Sequence, residues 1–374
     1  MRVLMTGGGT AGHINPALTI AAKIKKEQPD AEFLFVGAQG RMETVLVPAA
    51  GYPLKTITVQ GFQRKITLKN VLKNFKVAYH AVTAGFEAAR IVKDFAPDIA
   101  IGTGGYVCGP VLREAAKQGV PVVVHESNAF PGVTVKMLAP MAKAVLISDE
   151  AARKYLPNTA NVIVTGNPLR GDFTVMDKKT ARKELGLDDR PFILSFGGSL
   201  GARPINDAMV AVLQKNQEEN EPFQIMVGTG RGDTFGRMQQ LLKQAGVAET
   251  SAVTVRDYID DMPRCMAAAD LVICRCGAMT LSELPMMQKP AILIPSPYVA
   301  ENHQYFNAMA LASRGAAVCI EEKELVGNRL WEAVSSLAGD AEALSQMGEV
   351  SARMAVTDAD EKIYAVICDV LNKQ

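Results

Sequence analysis

The stretch MRVLMTGGGTAGHINPAL, Met1 to Leu18, runs from a short apolar strand into a cluster of glycines and then into helix-spaced apolar residues. Glycines let a backbone turn sharply and come close to a ligand. A helix that starts at such a turn directs its unpaired amides and positive dipole end past the strand's carboxyl edge, where an anion can sit. Asn15 and Pro16 read as the cap and first residue of that helix, because proline is favoured at the first helical position. The same device recurs later, where Phe192–Phe196 runs into GGSLGAR, Gly197 to Arg203.

Working outward from these two turns, short β-branched runs alternate with helix-period stretches. The first half offers strands at Arg2–Met5, Glu32–Val36, Ile99–Gly102, Val120–His125, Ala144–Ile147 and Val162–Val164. Helical spacing occupies Pro16–Lys26, Leu68–Phe95 and Pro110–Gln118. The second half adds Gln224–Val227, Val253–Arg256, Leu271–Cys274, Ala291–Ile294 and Ala317–Cys319. Such alternation predicts an α/β fold built from two Rossmann-like, doubly wound parallel-sheet domains facing across a cleft. The boundaries expected are 1–165 and 166–355, with TGNPLRGDF (Thr165–Phe173) as the connection. A terminal helix within 356–374 packs back on the first domain.

A chain of 374 residues suits two cores of this kind. Apolar residues are 48% and charged residues 21%, the balance of a globular protein. The net charge of +1 implies no general attraction to nucleic acid. The six cysteines show no Cys-x-x-Cys pair, and Cys274 with Cys276 are too few for a structural zinc site. They read as free thiols of a reducing compartment. The opening residues do not read as a signal peptide, so none is expected, and no apolar run reaches the roughly 18 residues of a spanning helix.

Gly7, Gly9 and Gly12 fit a dinucleotide fingerprint, yet the second strand ends FLFVGAQ without the carboxylate that would hold an adenosine ribose. His13, one of only four histidines, sits at the mouth of the sheet. An imidazole there suits taking a proton from a hydroxyl, although a loop histidine that merely bonds backbone is equally compatible. In the second half, CRCGAMTLSEL (Cys274–Leu284) follows a strand. Thr280 and Ser282 offer hydroxyls to a phosphate, and Glu283 can accept two hydrogen bonds from a ribose. Pro285 interrupts the helix that follows. AENHQYFNA (Ala300–Ala308) gathers His303, Gln304 and Asn307, side chains that read sugar hydroxyls. Asp188-Asp189 and Asp260-Asp261 read as solvated turns, so no metal and no cofactor is expected.

GGGTAGHINPAL, HESNAFPG (His125–Gly132), TGNPLR, GGSLGAR, IDDM (Ile259–Met262), CRCGAMTLSE and NHQYFNA together, in this order, resemble the MurG family. These are the undecaprenyldiphospho-muramoylpentapeptide β-N-acetylglucosaminyltransferases of bacterial cell-wall synthesis, in glycosyltransferase family 28. The resemblance covers nearly the whole chain. It implies a GT-B fold and an inverting transfer of GlcNAc from UDP-GlcNAc to the 4-hydroxyl of a lipid-linked MurNAc-pentapeptide. It implies His13 as the base, with Glu126 or Asp172 as alternatives. The UDP-GlcNAc side would comprise Thr10, Ala11, Gly12, Asn128, Arg170, Ser199, Ile259, Ala278, Met279, Thr280, Leu281, Ser282, Glu283, Gln304 and Asn307. Tyr106, His125 and Glu126 would lie on the acceptor side. The chain departs from the family's usual residues at Ala11, His303 and Pro285. A lipid acceptor implies an anionic membrane surface on the cytoplasmic face, and a cell-wall synthesis complex as the setting. Leu68, Leu72 and Phe75 beside Lys69, Lys73 and Lys76 form an apolar stripe edged with lysine that suits such a surface or, equally, a core-packing helix.

Overall fold

The computed structural model describes residues 1–59, 83–169, 176–198 and 200–373. The chain divides into two compact units, Met1–Leu169 with Asp358–Gln374, and Arg170–Thr357.

In the first unit the elements run β1 (Arg2–Thr6), α1 (Ala11–Glu27), β2 (Glu32–Ala38), α2 (Glu43–Ala49) and β3 (Leu54–Ile57). Residues 83–95 form helix α3. There follow β4 (Ile99–Gly102), α4 (Cys108–Lys117), β5 (Val122–Glu126), α5 (Val133–Leu138), β6 (Ala144–Ile147) and β7 (Val162–Val164). All strand pairings are parallel, in the order β3-β2-β1-β4-β5-β6-β7. Strands β4, β5 and β6 are buried along their whole length. A parallel sheet covered by helices on both faces demands this, and it explains their largely apolar composition.

The second unit repeats the plan with α6 (Lys178–Glu184), β8 (Phe192–Phe196), α7 (Arg203–Glu218), β9 (Gln224–Gly228), α8 (Asp233–Ala245), β10 (Val253–Arg256) and α9 (Met262–Ala268). It continues through β11 (Leu271–Cys274), α10 (Ala278–Met286), β12 (Ala291–Leu293), α11 (His303–Ala312), β13 (Ala317–Cys319), α12 (Arg329–Ala338) and α13 (Ala341–Arg353). Its order, β10-β9-β8-β11-β12-β13, is again that of a doubly wound sheet. In each unit the order reverses beside the first strand, between β1 and β4 and between β8 and β11.

The last helix, α14 (Ala359–Asn372), belongs to the first unit. Its Ile363 and Ile367 pack with Ile20 and Ile24 of α1, and Tyr364 accepts a 3.1 Å hydrogen bond from Gln28. No helix among the described residues is long and apolar enough to cross a membrane.

Two expectations need correction. Helix α1 starts at Ala11, capped by the extended Thr10, and not at Pro16. The amides of His13 and Ile14 already close on the Thr10 carbonyl at 3.1 and 3.2 Å. Pro16 therefore sits in the second turn, where its missing N–H forfeits only the bond to the Gly12 carbonyl. Strand β3 was not foreseen. It is a four-residue edge strand with two exposed residues, too short and too polar to show a period.

Candidate functional site

At the first reversal point, the turn after β1 and the turn after β4 lie against one another. His13, in the first turn of α1, places Nδ1 3.1 Å from the carbonyl oxygen of Thr103. A carbonyl only accepts, so Nδ1 carries the proton and Nε2 keeps its lone pair. Thr103 grips the same residue again, donating from Oγ1 to the His13 carbonyl at 2.6 Å. Burial holds the His13 pKa below its ordinary 6.5, while the bond to Thr103 and the charge of Glu43 pull upward. The start of a helix also disfavours an imidazolium. His13 is thus a neutral base at pH 7, with its free nitrogen fixed in direction. Gly104, at φ +107°, forms the wall behind the ring, where a Cβ would lie 2.6 Å from Nδ1.

The glycine turn itself is not the vacant anion cradle that its sequence suggests. Glu43, fully buried at the start of α2, accepts from the Gly9 amide at 3.0 Å and the Ala38 amide at 2.8 Å. The Gly8 amide donates to Gly104. Gly8 is glycine because a Cβ would meet Glu43 Oε1 at 2.3 Å. The carboxylate absent from the end of β2 therefore exists five residues later, and it is spent on the protein's own backbone. Thr10 and Gly12 are exposed beside it, and Ala11 is half-buried.

HESNAFPG also turns out differently. His125 is wholly enclosed, with Nε2 3.1 Å from the Gly166 carbonyl and Nδ1 3.5 Å from Ser127 Oγ, and burial pushes its pKa down to about 4. It ties β5 to the 166 turn and cannot touch an acceptor. Glu126 accepts from the Asn128 amide and side chain, both at 2.9 Å, and from the Gly132 amide at 2.8 Å. Its oxygens organise the loop, which removes it as an alternative base. Asn128 is half-buried in this network, whereas Tyr106 stands 61% exposed past β4.

At the second reversal point the turns after β8 and β11 border a cavity of about 390 Å³. Gly197, Gly198, Thr280 and Gln304 line it, as do Arg275, Ser296, Tyr298 and Glu322. Gln304 accepts from the Ser296 amide through Oε1 at 2.9 Å, which leaves its NH₂ to donate. Glu283 lies outside this lining, half-buried and three residues after Thr280 on the same helical face. Ala278 and Met279 open the helix and are half-buried. Three expected ligand contacts are otherwise engaged or enclosed. Ser282 Oγ donates to the Ala278 carbonyl at 3.2 Å, Asn307 Nδ2 donates to the Cys276 carbonyl at 3.1 Å, and Leu281 is in the core. Helices offer a hydroxyl at position i the carbonyl at i−4, and Ser282 takes it. Ile259 buries its side chain against Gly228, but its backbone forms no hydrogen bond among the described residues. His303 spends Nδ1 on the Ala300 carbonyl at 2.8 Å, outside the cavity lining. Pro285 sits one residue before the end of α10, where it costs one hydrogen bond and no kink is needed.

Arg170, Ser199, Asp172 and the stripe holding Leu68, Lys69, Leu72, Lys73, Phe75 and Lys76 lie outside the described residues. The paired acids form local contacts, with Asp188 bonded to Arg190 and Asp261 capping α9. Glu43, Arg275 and Glu322 escaped the sequence reading. Glu43 stands in no glycine motif, and Arg275 and Glu322 meet only through the parallel register of β11, β12 and β13.

Comparison with known proteins gives the family. Residues 3–147 match the glycosyltransferase family 28 N-terminal domain, and residues 192–363 match the C-terminal domain of the same family. A UDP-N-acetylglucosamine–N-acetylmuramyl-(pentapeptide) pyrophosphoryl-undecaprenol N-acetylglucosamine transferase of Acetivibrio thermocellus is 44% identical, covering 100% of this chain and 99% of that one. The protein of the same name from Desulforamulus reducens is 41% identical, covering 100% of both. The crystal structure of Acinetobacter baumannii MurG superposes with a TM-score of 0.77 at 26% identity, covering 100% and 99%. A UDP-GlcNAc 2-epimerase from Neisseria meningitidis, 14% identical with a TM-score of 0.65 and covering 100% of both chains, shares the fold alone. The two parallel-sheet units are those of the GT-B fold. The chain belongs to glycosyltransferase family 28, among the pyrophosphoryl-undecaprenol N-acetylglucosamine transferases.

Proposed function

We infer that this protein transfers N-acetylglucosamine from UDP-GlcNAc to the 4-hydroxyl of MurNAc in undecaprenyl-diphospho-MurNAc-pentapeptide. The observation that carries the chemistry is the fixed tautomer of His13, whose Nδ1–H is held by Thr103 and whose Nε2 is a free base. In a single inverting displacement the acceptor oxygen bonds to the anomeric carbon as the bond to the diphosphate oxygen breaks. The hydroxyl proton passes to His13 Nε2, and UDP leaves with the bonding electron pair. The anomeric carbon gains oxocarbenium character on the way. The departing charge is met by donors around the second cavity, where Thr280 and Gln304 lie, while Glu283 on α10 accepts from the ribose hydroxyls.

The lipid-linked acceptor gives the protein reason to work peripherally on the anionic cytoplasmic face of the cell membrane, in company with other wall-synthesis enzymes. Tyr106, exposed past β4, is suited to the acceptor. The lysine-edged stripe from Leu68 to Lys76 suits the lipid surface. Changing Lys69, Lys73 and Lys76 to Glu should abolish binding to anionic liposomes, and unchanged binding removes that assignment.

The reaction is tested by UDP release from UDP-GlcNAc with and without lipid-linked MurNAc-pentapeptide. Acceptor-dependent release with a GlcNAc-extended lipid is the expected result. Donor binding without acceptor-dependent release sinks the reaction and leaves a sugar-nucleotide binder or an epimerase.

A further inference from the structure

The donor cavity contains one ion pair that the reaction as described does not use. Arg275 follows β11, and Glu322 follows β13, two strands away. Both line the cavity, and their side chains are only 13% and 12% exposed. Arg275 Nη2 donates to Glu322 Oε2, and Nη1 donates to the Ile294 carbonyl at 3.2 Å. The guanidinium is thus tied at two points to the loops after β12 and β13, while its stem rises from the loop after β11. A guanidinium has five N–H donors, so this arrangement leaves donors over for the cavity.

Taking two charges out of water is expensive, and stability alone is a poor reason to retain such a pair. Here the pair borders an open space of about 390 Å³ beside the glycine turn Gly197–Gly198. A guanidinium fixed in direction is suited to a phosphate oxygen, because its fork is rigid and less entropy is lost per bond.

We propose that Arg275 binds the diphosphate of the nucleotide donor, and that Glu322 is a positioning residue that aims the guanidinium at the leaving oxygen. This rests on the UDP-GlcNAc reading above. As the sugar–oxygen bond breaks, negative charge grows on the diphosphate, and a cation already aligned with it stabilises the transition state more than the ground state. Glu322 keeps Arg275 from swinging out to solvent.

Binding of UDP and of uridine to the full chain, by titration calorimetry, separates the parts. Wild-type protein binding UDP supports the donor reading, and failure to bind it overturns that reading and this proposal with it. Arg275→Gln should weaken UDP by at least about tenfold while uridine affinity stays within about twofold. Equal weakening of both, or of neither, overturns the role of Arg275. Arg275→Lys, which keeps the charge and loses the fork, should fall between wild type and Arg275→Gln for UDP, again with uridine unchanged. For Glu322→Gln, which keeps the shape, kcat should drop by about tenfold with the donor KM within about twofold. An unchanged kcat, or a loss confined to KM, overturns the positioning role.

Discussion

The glycine turn after β1 and the glycine turn after β8 occupy the same place in two doubly wound sheets, yet the first is filled by a buried side chain and the second borders a cavity. In the first, a buried carboxyl from α2 takes the Gly9 amide, and the 103–105 turn closes over Gly8 and the imidazole. In the second, no carboxyl among the described residues takes an amide of the turn. Gly201 lies against the backbone of Thr229 and Gly230, and about 390 Å³ stays open towards Thr280 and Arg275. A strand–glycine–helix unit is therefore a frame, and what arrives from other elements decides its use. Glu43 fills the first turn, which we read as a mount for the proposed base. Among the described residues no counterpart fills the second turn, which borders the cavity.

That contrast can be broken experimentally. The largest effect is expected from His13→Ala, which should lower kcat by about 10³-fold while leaving UDP affinity of the second unit unchanged. Lost UDP affinity would mean that the two turns do not divide base and donor in this way. In wild type, kcat should rise with pH through a pKa below 6.5 and then level off, because only neutral His13 accepts the proton.

Acid stability should also separate the units. His125 has a folded pKa of about 4 against an ordinary 6.5, so between these values the unfolded chain binds the extra proton. Stability is then complete above about pH 6.5 and falls as the pH drops to about 4, by about 3 kcal/mol in all. His125→Gln should flatten that slope in denaturant titrations, and an unchanged slope would show that another group carries it.

Smaller still, Glu43→Gln keeps one acceptor but sets an NH₂ against a backbone N–H. It should cost about 2 kcal/mol of stability and reduce kcat without changing UDP affinity. If it left kcat intact, the mounting role of the first turn would fail. The smallest effect is expected from Ser282→Ala. Its hydroxyl is bonded to its own helix, so donor affinity should move by less than about twofold and stability by less than about 0.5 kcal/mol. A tenfold loss of donor affinity would restore Ser282 as a phosphate contact.

Much of this was legible in the order of residues. Strands Ile99–Gly102, Ala144–Ile147, Phe192–Phe196 and Leu271–Cys274 match their apolar runs, because a strand buried on both faces must be apolar throughout. The places of His13, Thr280 and Gln304 beside the turns could be read from the sequence. The roles of His125, Glu126, Ser282 and Asn307 could not, since a polar side chain near a turn looks the same whether it meets a ligand or the backbone.

The sequence by itself determined the two parallel sheets, their glycine turns and the family, because these follow from local period, turn chemistry and motif order. Only the tertiary structure decided which nitrogen of His13 is free, that Glu43 fills the first turn, and that Arg275 meets Glu322. Each depends on an atom brought from another element, Thr103 across 90 residues and Glu322 across 47. Hydrogen-bond direction and burial are properties of those meetings, which no single segment contains.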